Sequence, residues 1–111
     1  MRNPMIIKIV VVTPGKQPEV TTCIDVDVPQ LIGGAYEQIE GPGWAAWINI
    51  RPGQDFNFVA TDLAEYLGWA YAPEVLCGTV VFTGPLDNEG VDTDVPEFVV
   101  KAALKYITVE G

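Results

Sequence analysis

The sequence predicts a single α+β domain over residues 1–111, with a largely antiparallel sheet, two or three helices and the C-terminal helix packed on the sheet. Three observations carry this reading. Strand-like segments group early in the chain. Helical patterns are inserted between later strands, without the regular strand–helix alternation of a doubly wound fold. No linker or low-complexity stretch divides the 111 residues, a length that suits one domain. Hydrophobic residues at 49% and charged residues at 19% give a globular balance.

The first element is the β-branched run Met5 to Thr13. It is apolar on both faces, as expected of a strand covered on both sides. The turn-rich Thr13-Pro14-Gly15-Lys16-Gln17-Pro18 follows. Next, Val20, Thr22, Ile24 and Val26 alternate with Glu19, Thr21, Cys23, Asp25 and Asp27, the period of a half-buried strand hairpinned to the first. Asp27-Val28-Pro29-Gln30 reads as a helix start, with Asp27 as N-cap and Pro29 in the first turn, and Gly33-Gly34 stops that helix. Ala35 to Glu40 predicts a short strand, Gly41-Pro42-Gly43 a tight turn, and Trp44 to Ile50 another strand. In that strand Trp44, Ala46, Ile48 and Ile50 share one face, and Ala45, Trp47 and Asn49 the other.

Arg51 to Phe58 reads as a loop. Thr61 is the expected cap of a helix from Asp62 to Leu67, with Leu63, Tyr66 and Leu67 on its apolar stripe. Trp69 to Glu74 is irregular, Cys77 to Thr83 a strand, and Gly84 to Thr93 a polar, acidic loop. Asp94-Val95-Pro96-Glu97 repeats the earlier helix start and opens a helix to about Ile107, whose face is Val95, Phe98 or Val99, Ala102 and Tyr106. Val100, Leu104 and Ile107 lie off that stripe, so the helix is apolar over much of its circumference.

Composition excludes more than it assigns. There is no histidine and no serine, which removes the nucleophilic triads, the usual general base and the commonest metal ligand. Cys23 and Cys77 lack metal-ligand spacing and read as buried free thiols. The glycines match neither a dinucleotide fingerprint nor a P-loop. An EF-hand register started at Asp87 puts Val91 at position 5 and Asp92 at position 6, where an acid and a glycine are needed. We therefore expect no enzyme, no cofactor and no metal.

The net charge of −9 is unevenly spread. Residues 1–51 hold four cations and five carboxylates, whereas residues 52–111 hold two cations and ten carboxylates. Such a balance repels nucleic acid and favours basic protein partners. Asp87, Glu89, Asp92, Asp94 and Glu97 form the candidate partner-binding acidic surface, read against a plain solvated loop leading into a helix N-terminus. The aromatic cluster Trp44, Trp47, Trp69 and Tyr71, with Arg51 nearby, is a candidate ligand or interface patch. Trp44 and Trp47 point to opposite faces of one strand, so one of them is a candidate for a homodimer contact or a stacking pocket. The longest apolar run is too short to span a bilayer, and no signal-peptide pattern opens the chain. A soluble protein of the cytoplasm, without a membrane partner, is expected.

Several stretches also carry a resemblance. They are Val12-Thr13-Pro14-Gly15-Lys16, Leu31-Ile32-Gly33-Gly34, Tyr36-Glu37-Gln38-Ile39, Asn49, Ala60-Thr61-x-Leu63 and Cys77-Gly78-Thr79-Val80-Val81. Over most of residues 6–84 the chain resembles an uncharacterised family of small proteins encoded mainly by bacteriophages, many infecting actinobacteria (domain of unknown function family 3846). Family members often carry an acid after the asparagine, where this chain continues Ile50-Arg51-Pro52-Gly53. The resemblance implies a phage accessory protein made in the host bacterial cytoplasm, and it brings no activity with it. The expected function is thus non-enzymatic binding of a host protein through the acidic surface. The alternatives are a small-ligand protein that sequesters a nucleotide signal of host defence, and a DNA mimic.

Overall fold

A computed structural model describes residues 3–33, 35–69 and 75–110. Five strands form one antiparallel sheet: β1 (Ile6–Val12), β2 (Glu19–Ile24), β3 (Tyr36–Gly41), β4 (Trp44–Asn49) and β5 (Val80–Thr83), in the spatial order β2-β1-β5-β4-β3. Three α-helices, α1 (Val28–Ile32), α2 (Phe58–Tyr66) and α3 (Glu97–Glu110), complete a compact α+β domain. Among the described residues no helix is long and apolar enough to cross a membrane.

The sheet is buried on both faces, and the pleat sorts its residues accordingly. On one face Val10, Val12, Trp44, Ala46, Val80 and Phe82 join Ala60, Leu63, Ala64 and Leu67 from α2 and its end, and Val99, Val100, Ala102 and Ala103 from α3. On the other, Ile7, Ile9 and Val81 pack with Val28 and Ile32 of α1, flanked by Val11, Cys23 and Trp47. The two-faced apolar pattern of the first strand is therefore literal: Ile9 and Val10 are both fully buried and face opposite layers. The two halves of the sheet are joined through β5, which pairs with β1 at Val10↔Phe82 and with β4 at Ala46↔Phe82.

Strand β1 is longer than β5, which leaves the backbone of Lys8 without a β5 residue beside it. The chain after β5 fills that place. Lys8 donates its N–H to the Asp94 carboxylate at 2.8 Å, and Val95 donates its N–H to the Lys8 carbonyl at 2.8 Å. A side chain here substitutes for a missing strand residue, satisfying groups that are costly to leave unpaired.

Helix boundaries depart from the sequence reading for local reasons. Asp27 occupies the N-cap position of α1, yet its side chain caps nothing; the preceding Asp25–Asp27 forms a 3-10 turn that already uses the local backbone. Val26, expected in a strand, is consequently exposed. Gly33 ends α1 at φ 102°, in the left-handed region open to glycine. Helix α2 begins at Phe58, four residues before the expected Asp62, because its cap is Asn57 and not Thr61. Thr61 lies inside the helix, donating its hydroxyl to the Asn57 carbonyl and accepting from the Leu76 N–H. Tyr66 is exposed, contrary to its expected place on the buried stripe; Ala60 and Ala64 take that face with Leu63. In α3 Val99, Val100, Ala102 and Ala103 are buried, while Phe98 and Leu104 are exposed. The side chains of Tyr106 and Ile107, Gly34, and the stretch from residue 70 to Glu74 lie outside the description.

Gly41 has a different role from the turn glycine expected. It pairs with Trp44 across the hairpin, and a Cβ at Gly41 would collide with the Trp44 indole. The indole lies over the glycine, donating to the Leu67 carbonyl at 2.9 Å, so the hairpin and the end of α2 close on one ring.

Asn57 is a densely connected polar residue of this core. Its Nδ2 donates to the carbonyls of Val12 (2.9 Å) and Gly78 (2.8 Å), and its Oδ1 accepts from the Ala60 N–H at 3.1 Å. Asn57→Ala removes a helix cap, worth about 1 kcal/mol, and strands two buried carbonyls at about 1–3 kcal/mol each. The variant should lose at least about 3 kcal/mol in urea denaturation. A loss below about 1 kcal/mol would refute this account of how α2 is tied to the sheet.

Candidate functional site

The second sheet face is covered unequally. Helix α1 has only five residues, and the loop after β5 covers the rest. Between them lies an open cleft of about 290 Å³ lined by Asp25, Val26, Pro29, Trp47, Gly90, Val91 and Asp92. Each wall has a local cause. The 3-10 turn presents Asp25 and Val26, and Pro29 sits in the first turn of α1. Trp47 stands on the β4 face opposite Trp44, with Tyr36 against it at 4.7 Å between ring centroids. Asp87 shapes the loop by accepting from the backbone N–H groups of Glu89 and Val91 at 2.8 and 2.9 Å, which folds Gly90-Val91-Asp92 back over the sheet.

Asp92 ties the arrangement together. It is 9% exposed, and its Oδ1 accepts from Trp47 Nε1 at 2.9 Å, from Gln38 Nε2 at 3.2 Å and, more distantly, from the Thr83 hydroxyl at 3.5 Å. Among the described residues no hydrogen bond reaches its Oδ2. Burial raises its pKa above the ordinary carboxylate value, the Trp47 and Thr83 hydrogen bonds oppose that rise, and Asp25 adds to it. Among the described residues no lysine or arginine figures in these influences. Asp25 is buried as well, and its Oδ1 accepts from the Met5 N–H at 3.3 Å. Cys23 is half-buried in the neighbouring core layer. Its thiol pKa is raised by burial first and then by Asp27, Asp92 and Asp25.

The fold redistributes the residues singled out in the sequence. Of the five acids expected on one surface, Asp92 is buried beneath the loop, contrary to its expected solvation. Asp94 is turned to the β1 backbone and Asp87 to its own loop, while Glu89 and Glu97 are exposed. The aromatic cluster is split by the sheet. Trp44 and Trp69 are buried in the layer beneath α2 and α3, whereas Trp47 faces the cleft. Both faces carry a cover, complete over Trp44 and partial over Trp47, which stays half-buried. Arg51 is exposed and donates its backbone N–H to Asn49 Oδ1. Tyr71 lies outside the described residues. The two cysteines are free but half-buried, less enclosed than expected.

Asp25, Gln38 and Asn57 escape a reading of the sequence as site residues. Asn57 has a readable signal, an asparagine directly before the apolar Phe58-Val59-Ala60. Gln38 and Asp25 have none, since their roles arise from residues 54 and 20 positions away. Asn49, which belongs to the motif resemblance, has a structural role. Its Nδ2 donates to the Ile32 carbonyl at 2.8 Å and finishes the short α1.

Chemically, the cleft offers an indole wall, apolar flanks and two buried carboxylates. Among the described residues no group of three or more Cys, Asp or Glu side chains is placed to hold a metal ion. No family model, no curated protein and no solved structure matches the chain.

The raised pKa of Asp92 has a thermodynamic signature. Its native state holds a proton more tightly than the unfolded chain, whose value is near 3.8. The corresponding stability is fully present below that value and is lost as pH rises through the native pKa. Asp92→Asn keeps an oxygen for Trp47 and Gln38 but removes this titration. The stability of the variant relative to wild type should therefore rise with pH from about 3.8 upward and then level off, as read by urea midpoints. A difference that is flat, or that falls, contradicts the assignment. The same surroundings hold Cys23 as thiol. Its alkylation by iodoacetamide at about pH 8 should be at least about tenfold slower in the native protein than in urea; equal rates would contradict it.

Proposed function

We propose that the protein is a non-enzymatic binding protein, a phage accessory factor that engages a basic host protein. One observation carries this reading: the acidic loop and the concave site are a single structure. The segment that presents Glu89 to solvent continues directly into Gly90, Val91 and Asp92, which wall the cleft. A surface acidic on its rim, with carboxylates and an indole inside, matches a partner that is positive and partly apolar. The charge of −9 adds long-range attraction to such a partner. Phage origin and a bacterial cytoplasm come from the motif resemblance.

The alternatives fit less well. A nucleotide would bring phosphates to a cleft lined by Asp25 and Asp92, and Trp44 and Trp69 are inside the core, not available for stacking. A DNA mimic needs rows of outward carboxylates, whereas Asp87, Asp92 and Asp94 are turned toward the protein's own donors.

Glu89 and Glu97 are exposed, and the hydrogen bonds that hold the loop are made by Asp87 and Asp92, so neutralising the two glutamates leaves the fold intact. The double variant Glu89→Gln/Glu97→Gln should recover at least about threefold less of any basic protein captured by wild type from bacterial lysate at low salt. Capture by wild type should weaken as salt rises from about 50 to 200 mM. Equal recovery by both proteins would remove the acidic surface from the reading.

A further inference from the structure

We infer that the Trp47–Asp92 cleft is a receptor for an alkylguanidinium group, the head and stem of an arginine side chain. The inference rests on the binding reading above and names the chemistry its concave part recognises.

A carboxylate more than nine-tenths buried, as Asp92 is, is costly unless its charge is answered. Here Oδ1 collects the donors that the wall supplies, from Trp47, Gln38 and Thr83, so that the carboxylate is fixed in place. Oδ2 makes no hydrogen bond among the described residues and is not an enclosed atom, so it is the oxygen left accessible where Asp92 lines the open cleft. The fold thus orients one oxygen with the other, and among the described residues no cation lines the cleft. A donor with positive charge arriving from outside completes the site with a short, charge-assisted hydrogen bond.

The remaining walls choose among cations. Trp47 presents an indole, the best aromatic partner for a cation. Its ring is immobilised by the 2.9 Å bond to Asp92 and by the Tyr36 ring at 4.7 Å. A planar guanidinium stacks on such a face and still directs N–H groups edgewise to a carboxylate; a compact ammonium does one or the other less well. Val26, Pro29 and Val91 offer apolar surface for an alkyl stem. Asp25, on the 3-10 turn, is the second carboxylate that lines the cleft. The cleft, at about 290 Å³, is roomy enough for one such side chain and small for a nucleotide dimer.

The test follows the Trp47 indole N–H by proton–nitrogen correlation NMR during titration with N-acetyl-arginine methylamide, propylguanidine, and the citrulline counterpart of the first. Both guanidinium probes should shift the Trp47 signal saturably, with the citrulline compound at least about tenfold weaker. Tighter binding of the arginine amide than of propylguanidine assigns the group to a polypeptide; equal binding assigns it to a free small cation. Asp92→Asn should weaken both by about tenfold or more while leaving the rest of the spectrum in place. Should that variant fail to fold, Val26→Lys keeps the inference open to refutation. Val26 lies 60% exposed on the cleft wall, and a lysine there brings its own ammonium to Asp92 and must also weaken the probes. Equal responses to arginine and citrulline probes, or undiminished affinity in the substituted proteins, overturn the inference. A wild type that still captures basic proteins in the Glu89/Glu97 experiment while ignoring guanidinium would overturn the cleft alone.

Discussion

The constraint on which the rest depends is that the central strands are apolar on both faces. Ile9 and Val10 are adjacent, both fully buried, and by the strand pleat must face opposite layers. A sheet of this kind needs two covers. The chain spends its two longer helices on one face, where Trp44, Phe82, Leu63 and Val99 make the larger core. What remains for the other face is a five-residue helix and a loop. The second cover is therefore thin, and polar side chains complete it. Asn49 finishes α1, Asp87 folds the loop, and Asp92 pins that loop to Trp47 and Gln38. The cleft is the seam between these two incomplete covers.

The acidity of the second half accordingly has two physical origins. Some carboxylates are hydrogen-bond acceptors working where backbone or strand partners are missing. Asp94 stands in for a strand residue beside Lys8, and Asp87 holds a turn. Carboxylates suit this work, because one oxygen accepts several N–H groups and charge-assisted bonds are stronger than neutral ones. Others, Glu89 and Glu97, face solvent and contribute mainly to the field. Net charge alone does not distinguish the two kinds; only the positions of the donors do.

The sheet is legible in the sequence because its signals are local and period-two. The opposed tryptophans of β4 and the doubly apolar β1 each follow from side chains two residues apart sharing a face. In β2 the strand is legible but its buried face is not, since Thr22 and Ile24 are exposed and Cys23 packs against the core. The helices are less legible. Thr61 reads as a cap because an acid and an apolar stripe follow it, but Asn57 caps earlier and turns Thr61 into an internal bridge to Leu76. Phe98 and Val99 cannot be separated by spacing, since a helix offers both to a broad apolar stripe, and packing in the layer with Phe82 and Val10 selects Val99. The candidate site is legible only in fragments. Trp47 and Asp92 each stand out in the sequence, but as members of two different patches. Their 2.9 Å contact joins residues 45 positions apart, and no local pattern encodes that.

That contact also sets the electrostatics around Asp92 and Cys23. Asp92 Oδ1 is held by donors that carry no formal charge, Asp25 raises its proton affinity further, and the Cys23 thiol close by is held protonated by burial and the same carboxylates. A nucleophile needs the opposite environment, one that favours thiolate. Burial and the neighbouring carboxylates thus hold Cys23 away from the thiolate form, and the indole and carboxylates of the cleft carry the cation reading proposed above. The thin second cover thus leaves a cleft: closed where Gln38 and Trp47 both bond to Asp92, and open where the two short covers fail to meet.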